Sequence, residues 1–290
     1  DANAPFHISP AGRWMARVVT FPKLSIEVTD FEEPTLLGLI DLTGKPDGAV
    51  PHVVGFLTAD RVLLRWDGAG AGVTVIEAYD LATSRRVRGP IPLPALAMSN
   101  NLYAFSPAGD YVAVAANVGG MPSVLVYAMT GTSEQPSHTI RIGEMDPRWP
   151  VEPTGFAFVP DVDDADQNVL ALMFEQAGRA LIVAYRQTGQ LIGRPLVYNA
   201  GPPASRPPGY AGSALQWLVS GDARWILVYG SAVVDPATGA TVGDLQIGDV
   251  ERAFPVDAEN LLLVTGPGGA GPTRKAVRVR LNLSSLKPTR

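Results

Sequence analysis

The densest chemistry in this chain is the acidic run DVDDADQN, which places Asp161, Asp163, Asp164, Asp166 and Asn168 within eight residues. Hard oxygen donors at such spacing coordinate Ca²⁺, and Asp164, Asp166, Asn168 and Glu175 fall at positions 1, 3, 5 and 12 of a calcium-binding loop. Position 6, where that loop needs Gly for its sharp turn, is Val169. Asp164, Asp166 and Asn168 are the candidate metal ligands, and a solvated acidic loop that needs no metal is the preferred expectation.

Other chemistries leave fewer traces. The three histidines, His7, His52 and His138, are widely separated, and the absence of cysteine removes disulfides, thiolate metal sites and a Cys nucleophile. No Gly-x-Ser-x-Gly elbow occurs, and the glycine-rich GPGGAGP lacks the Lys and the following helix of a phosphate loop. No cofactor is expected. A net charge of −5 and a pI near 5.2 leave Arg85-Arg86-Val87-Arg88 as the dense positive cluster, so nucleic acid is not an expected partner. Asp222 and Arg224 interrupt the longest apolar run, residues 215–234, and no membrane-spanning helix is expected. The chain starts DANAPF without Met, which reads as a processed mature protein or an excised domain, with export as the preferred compartment.

The elements that would carry these residues are short and repetitive. Tyr111 to Ala116 and Ser123 to Tyr127 are β-branched or apolar runs bounded by turn clusters, as strands are. In Ser106-Pro107-Ala108-Gly109, Pro presets the second turn position and Gly accepts the positive φ of a reversal. An apolar residue before a turn recurs as Ile8, Phe56, Phe105, Phe158, Trp217 and Phe254, at spacings of 48, 49, 53, 59 and 37 residues. Alternating with it is a strand end followed by Thr-Gly or its like, closing at Gly44, Ser84, Gly131, Gly189, Gly239 and Ser285. That period matches one four-stranded propeller blade. Residues 163–185 could be written as a helix with an acidic first turn, but their place in the repeat predicts two strands around Ala177-Gly178. With 46% hydrophobic and 18% charged residues, 30 Gly and 26 Pro, the composition suits many short strands and turns and argues against disorder.

SPAGRWMARV, SPAGDYVAVA, VYAMTG and VVDPATGATVG resemble the A-to-B and C-to-D turns of bacterial WD40-like and TolB-like β-propellers, and the resemblance extends from residue 6 to about residue 286. It implies a ring of blades, each running from an innermost strand A to an outermost strand D. The expectation is an all-β chain forming one propeller domain over residues 1–290. Six four-stranded blades are expected at about 6–52, 53–100, 101–152, 153–212, 213–249 and 250–290, or seven if the chain is truncated. The last blade lacks an evident strand D, and residues 1–5 are the candidate to close the ring there.

In this alignment the A-to-B and C-to-D turns are uniform, whereas the B-to-C and D-to-A connections vary widely. Those two classes share one face in propellers, and variable loops on a rigid scaffold concentrate binding. Phe31, Glu33, Arg148, Trp149, Tyr198, Arg206 and Tyr210 are the candidate binding residues, because Trp, Tyr and Arg dominate binding hot spots. Four residues before the recurring apolar position stand His52, Asn101, Thr154 and Ser213, the candidates for a polar ring at the channel mouth, with ordered water as the preferred occupant. The expected function is a non-catalytic, monomeric binding or scaffold module that presents its loop face to a protein or peptide. The alternative is a metal-dependent, lactonase-like propeller hydrolase with an axial site.

Overall fold

The computed structural model describes residues 6–9, 13–20, 22–30, 36–42, 49–69, 73–94, 103–106, 108–142, 153, 155–160, 168–176, 179–186, 191–199, 218–219, 226–228, 232–234, 241–244, 250–255, 260–265 and 275–280. The chain divides into two compact units, Asp1–Gly143 and Glu144–Arg290. In the first unit the sheets are β1 (Phe6–Ile8) to β4 (Leu36–Asp41) through β2 (Trp14–Val19) and β3 (Ser25–Asp30); β5 (Val50–Thr58), β6 (Arg61–Ala69), β7 (Val73–Asp80) and β8 (Arg85–Leu93); and β9 (Tyr103–Phe105), β10 (Tyr111–Val118), β11 (Met121–Ala128) and β12 (His138–Arg141). The second unit holds β13 (Gly155–Pro160), β14 (Asn168–Gln176), β15 (Arg179–Arg186) and β16 (Leu191–Asn199). It also holds β17 (Leu218–Val219), β18 (Ile226–Val228), β19 (Ala232–Val234) and β20 (Thr241–Asp244), then β21 (Val250–Pro255), β22 (Asn260–Thr265) and β23 (Lys275–Arg280). Each sheet is an antiparallel meander in chain order, and the last has three strands among the described residues.

The continuous apolar run Val62-Leu63-Leu64 lacks the alternation of a half-buried strand because β6 is covered on both faces. Val62, Leu64 and Trp66 join Ala16, Ile26 and Ile40 of the first sheet in one cluster, while Leu63 joins Val112, Val114 and Leu125 of the third sheet in another. Each such side chain taken fully out of water contributes about 1.5–3 kcal/mol. Strands buried on both faces therefore stand between two neighbouring sheets, as blade strands must.

The recurring turn has a mechanism in this packing. Ser106 Oγ accepts from the backbone N–H groups of Asp110 (3.1 Å) and Tyr111 (2.9 Å) and donates to Asp110 Oδ1 (2.5 Å). Ser9 Oγ accepts from the N–H of Trp14 at 3.0 Å in the equivalent turn of the first sheet. Both serines are buried, so the Ser of the SPAG repeat clasps a reversal. Gly109 closes it with φ +70°, and a Cβ there would lie 2.8 Å from the Leu57 carbonyl oxygen of the neighbouring sheet.

Residues 168–176 and 179–186 form the expected strand pair, with Gln176 opposite Arg179. β14 also removes Glu175 from any calcium loop, since it lies seven residues along a continuous strand from Asn168, about 23 Å away at strand rise. Asp164 and Asp166 lie outside the described residues, and Asn168 opens β14 opposite Pro160. Phe56 and Phe158 are buried as equivalent strand A residues. Phe105 is partly buried, its ring so close to Gly55 that a Cβ there would meet Phe105 Cε2 at 2.6 Å. Trp217 and the proposed closing strand at residues 1–5 lie outside the described residues. Among the described residues no helix is long and apolar enough to cross a membrane.

Candidate functional site

Gly109, in the A-to-B turn of the third sheet, touches Thr58 and Leu57 beside the A-to-B turn of the second. These two turns lie at one end of the first unit, and antiparallel pairing carries the beginnings of strands A and C and the ends of strands B and D to the other end. At that other end the second sheet turns a polar cluster toward the third. His52 on β5 is paired with Arg65 on β6, and Val50 with Asp67. Arg65 and Asp67 form an ion pair at 2.8 Å, His52 Nε2 lies 3.3 Å from the same Asp67 Oδ2, and Thr74 donates to Asp67 Oδ1 at 3.3 Å.

Tyr103, at the start of β9, brings the third sheet to this cluster. Burial raises its pKa, the nearby Arg65 guanidinium opposes that rise, and Asp67 adds to it. Arg65 and the Tyr103 hydroxyl share a poorly aligned hydrogen bond that also works to lower the phenol's pKa, so the two buried groups satisfy each other only in part. An incoming acceptor can improve on that contact, at a site where leaving a buried donor unpaired costs about 1–3 kcal/mol.

The cluster has a pH signature. Burial first, and the Arg65 charge second, hold His52 below its ordinary 6.5 against the pull of Asp67. An unfolded chain takes up a proton near that value which the folded chain refuses until lower pH. The contribution of His52 to stability is therefore present above its unfolded pKa and is lost as pH falls through the folded one. Thermal melts between about pH 7 and pH 5 should show a smaller acid-induced loss in His52→Gln than in wild type. Parallel melting-temperature curves for the two proteins would count against this account.

Of the residues expected at the channel mouth, His52 is in this cluster, while Asn101, Thr154 and Ser213 lie outside the described residues. Phe31, Glu33, Arg148, Trp149, Arg206 and Tyr210 also lie outside them. Tyr198 is described by its backbone, near the end of β16 opposite Ala180, at the B-to-C end of its sheet. The strand A mouths hold no carboxylate in sequence, yet the structure supplies one to His52 from the neighbouring strand, Asp67. Hairpin register could have found it: a plain reversal at Ala59-Asp60 puts residue 52 opposite 67, and the two register shifts along β5 move it opposite Arg65, with Asp67 two residues on along the same face.

Exposed apolar side chains mark the same end. Val50 opens strand A and Val73 opens strand C of the second sheet, while Val118 and Met121 flank the B-to-C turn of the third. They account for four of the five large apolar residues exposed among those described; the fifth, Val87, is on β8.

Sheets of this meander order, stacked face to face with burial on both sides, define a β-propeller. Solved structures agree at the level of fold. TolB from Acinetobacter baumannii matches with a TM-score of 0.50 and 17% identity over 90% of this chain, which spans 60% of the TolB chain. Hsv2 from Kluyveromyces lactis matches with a TM-score of 0.52 and 11% identity, covering 90% of this chain and 69% of the other. Hydrazine synthase from Kuenenia stuttgartiensis matches with a TM-score of 0.50 and 11% identity, covering 94% and 82%. No protein-family model matches the sequence, and no curated protein does. The chain therefore resembles TolB-like and WD40-like propellers in fold.

Proposed function

We propose that this chain is a non-catalytic propeller module that binds a protein or peptide at the end formed by its B-to-C turns and D-to-A connections. The observation that carries the reading is the coincidence, in the first unit, of exposed Val50, Val73, Val118 and Met121 with Arg65 and Tyr103, which satisfy each other only in part. Apolar groups beside partly satisfied donors suit a segment that offers aliphatic side chains and a backbone carbonyl or carboxylate. In this proposal Phe31 and Glu33 extend the contact surface along the variable loops of the first unit and Asn101 joins His52 at its strand A starts, while Arg148, Trp149, Thr154, Tyr198, Arg206, Tyr210 and Ser213 are the corresponding candidates on the second unit. The alternative, a metal-dependent hydrolase with an axial site, calls for several converging carboxylates, whereas the cluster at His52 brings one, Asp67.

Panning a displayed random-peptide library on the wild-type protein tests this. Selected peptides should lose at least about tenfold in affinity toward a Val118→Glu, Met121→Glu double variant, because both changes place charge in the apolar contact. Peptides that bind both proteins equally would move the site off this end.

A further inference from the structure

The opposite end of the first unit holds a second feature, a cavity of about 480 Å³ between the first and second sheets. Its floor is the buried pair Val28 and Ile40, its walls are Trp14 and Leu81, and its exposed rim carries Asp60 and Ser84. The volume lies in the range of small-molecule sites, which are apolar clefts with a few fixed polar groups.

Three observations give the rim the character of a built site. Thr58 Oγ1 donates to Asp60 Oδ1 at 2.5 Å, which fixes the carboxylate and leaves Oδ2 without a hydrogen-bond partner among the described residues. The N–H of Leu81 donates to the Asp60 carbonyl at 2.8 Å, extending the β6–β7 ladder by one bond, as Met129 to Asp110 does in the third sheet, and so holding the A-to-B and C-to-D turns together along the rim. Ser84 adopts φ +56°, the left-handed region, whereas Gly131 at φ +81° holds that conformation in the corresponding turn of the third sheet. A non-glycine residue in that conformation is strained, and strain of this kind gathers at ligand sites. Here it puts a hydroxyl on the rim.

We infer that this cavity binds a small amphipathic amine, its flat apolar body seated against Trp14, Val28, Ile40 and Leu81 and its protonated nitrogen on Asp60 Oδ2. The preference for a cation follows from the free carboxylate oxygen at the mouth, in a chain of net charge −5. Arg13 does not neutralise Asp60: it is paired with Asp30 at 3.1 Å and stacked on Trp14, 4.7 Å from the ring centroid.

Saturation-transfer NMR titration with tryptamine, and with 3-indolepropionic acid as its carboxylate counterpart, tests the assignment. Tryptamine should bind saturably, Asp60→Asn should weaken it about tenfold, and the carboxylate analogue should bind at least about tenfold more weakly than the amine. Ala82→Trp, at the exposed rim, should block the amine while leaving the melting temperature unchanged. No saturable binding of tryptamine, equal binding of both probes, or full affinity in Asp60→Asn would each overturn the inference. Peptide binding at the other end is read separately from these same proteins, so the two sites stand or fall independently.

Discussion

Replacing Glu77 by alanine is expected to destabilise the protein by about 2–5 kcal/mol, because two buried donors each lose their acceptor at about 1–3 kcal/mol apiece. Glu77 is 4% exposed and lies on β7 between the two faces of the second sheet's packing. Its Oε2 accepts from Trp66 Nε1 at 3.0 Å and from the Tyr79 hydroxyl at 2.8 Å, and its Oε1 pairs with Arg86 at 2.6 Å. Burial and the bond to Glu77 together hold Tyr79 above its ordinary pKa, so the phenol stays a donor. Arg86 is half exposed and can return to water, whereas Trp66 is 1% exposed and loses this acceptor where water cannot replace it. Urea unfolding reads the effect directly. A loss below about 1 kcal/mol in Glu77→Ala would show that the network does not hold the sheet.

Phe56→Ala should cost about 3–5 kcal/mol through lost burial and the cavity left behind. Phe56 is 4% exposed and belongs to the cluster that joins the first sheet to the second, with Ala16, Ile26, Val62 and Trp66. Phe105 holds the equivalent place one sheet later but is only partly buried, so Phe105→Ala should cost less than Phe56→Ala. Equal unfolding midpoints for wild type and Phe56→Ala would contradict the reading of this position as the joint between neighbouring sheets.

These two residues also show how far the sequence could be read. Phe56, Phe105 and Phe158 stand out because every repeat presents the same problem, a strand A that must fill the space beside its neighbour, and the solution recurs at a fixed phase. The Gly109 and Gly131 turns were legible for the same reason: a reversal with φ near +70° and +81° needs glycine. Glu77 was not legible. A lone glutamate in an apolar strand looks like any surface residue until register brings Trp66, Tyr79 and Arg86 around it.

Asp67 is an intermediate case. Its proximity to His52 follows from hairpin pairing, but the involvement of Tyr103 depends on how one sheet lies against the next, which no period within a repeat encodes. The cavity between Trp14 and Leu81 depends on the same packing between sheets. Sequence reasoning could single out the loop-bearing end by its variable connections and had no means of finding a pocket at the other end.

The central claim is that partner recognition uses the B-to-C end. Site-specific photocrosslinking tests it most directly, with benzoylphenylalanine placed singly at Val73 and at Ala82 and a selected peptide ligand as the target. Val73 is 39% exposed at the proposed end, and Ala82 is exposed in the C-to-D turn at the other. The account predicts peptide adducts from position 73 and none from position 82. Adducts from position 82 alone would place recognition at the opposite end and contradict it.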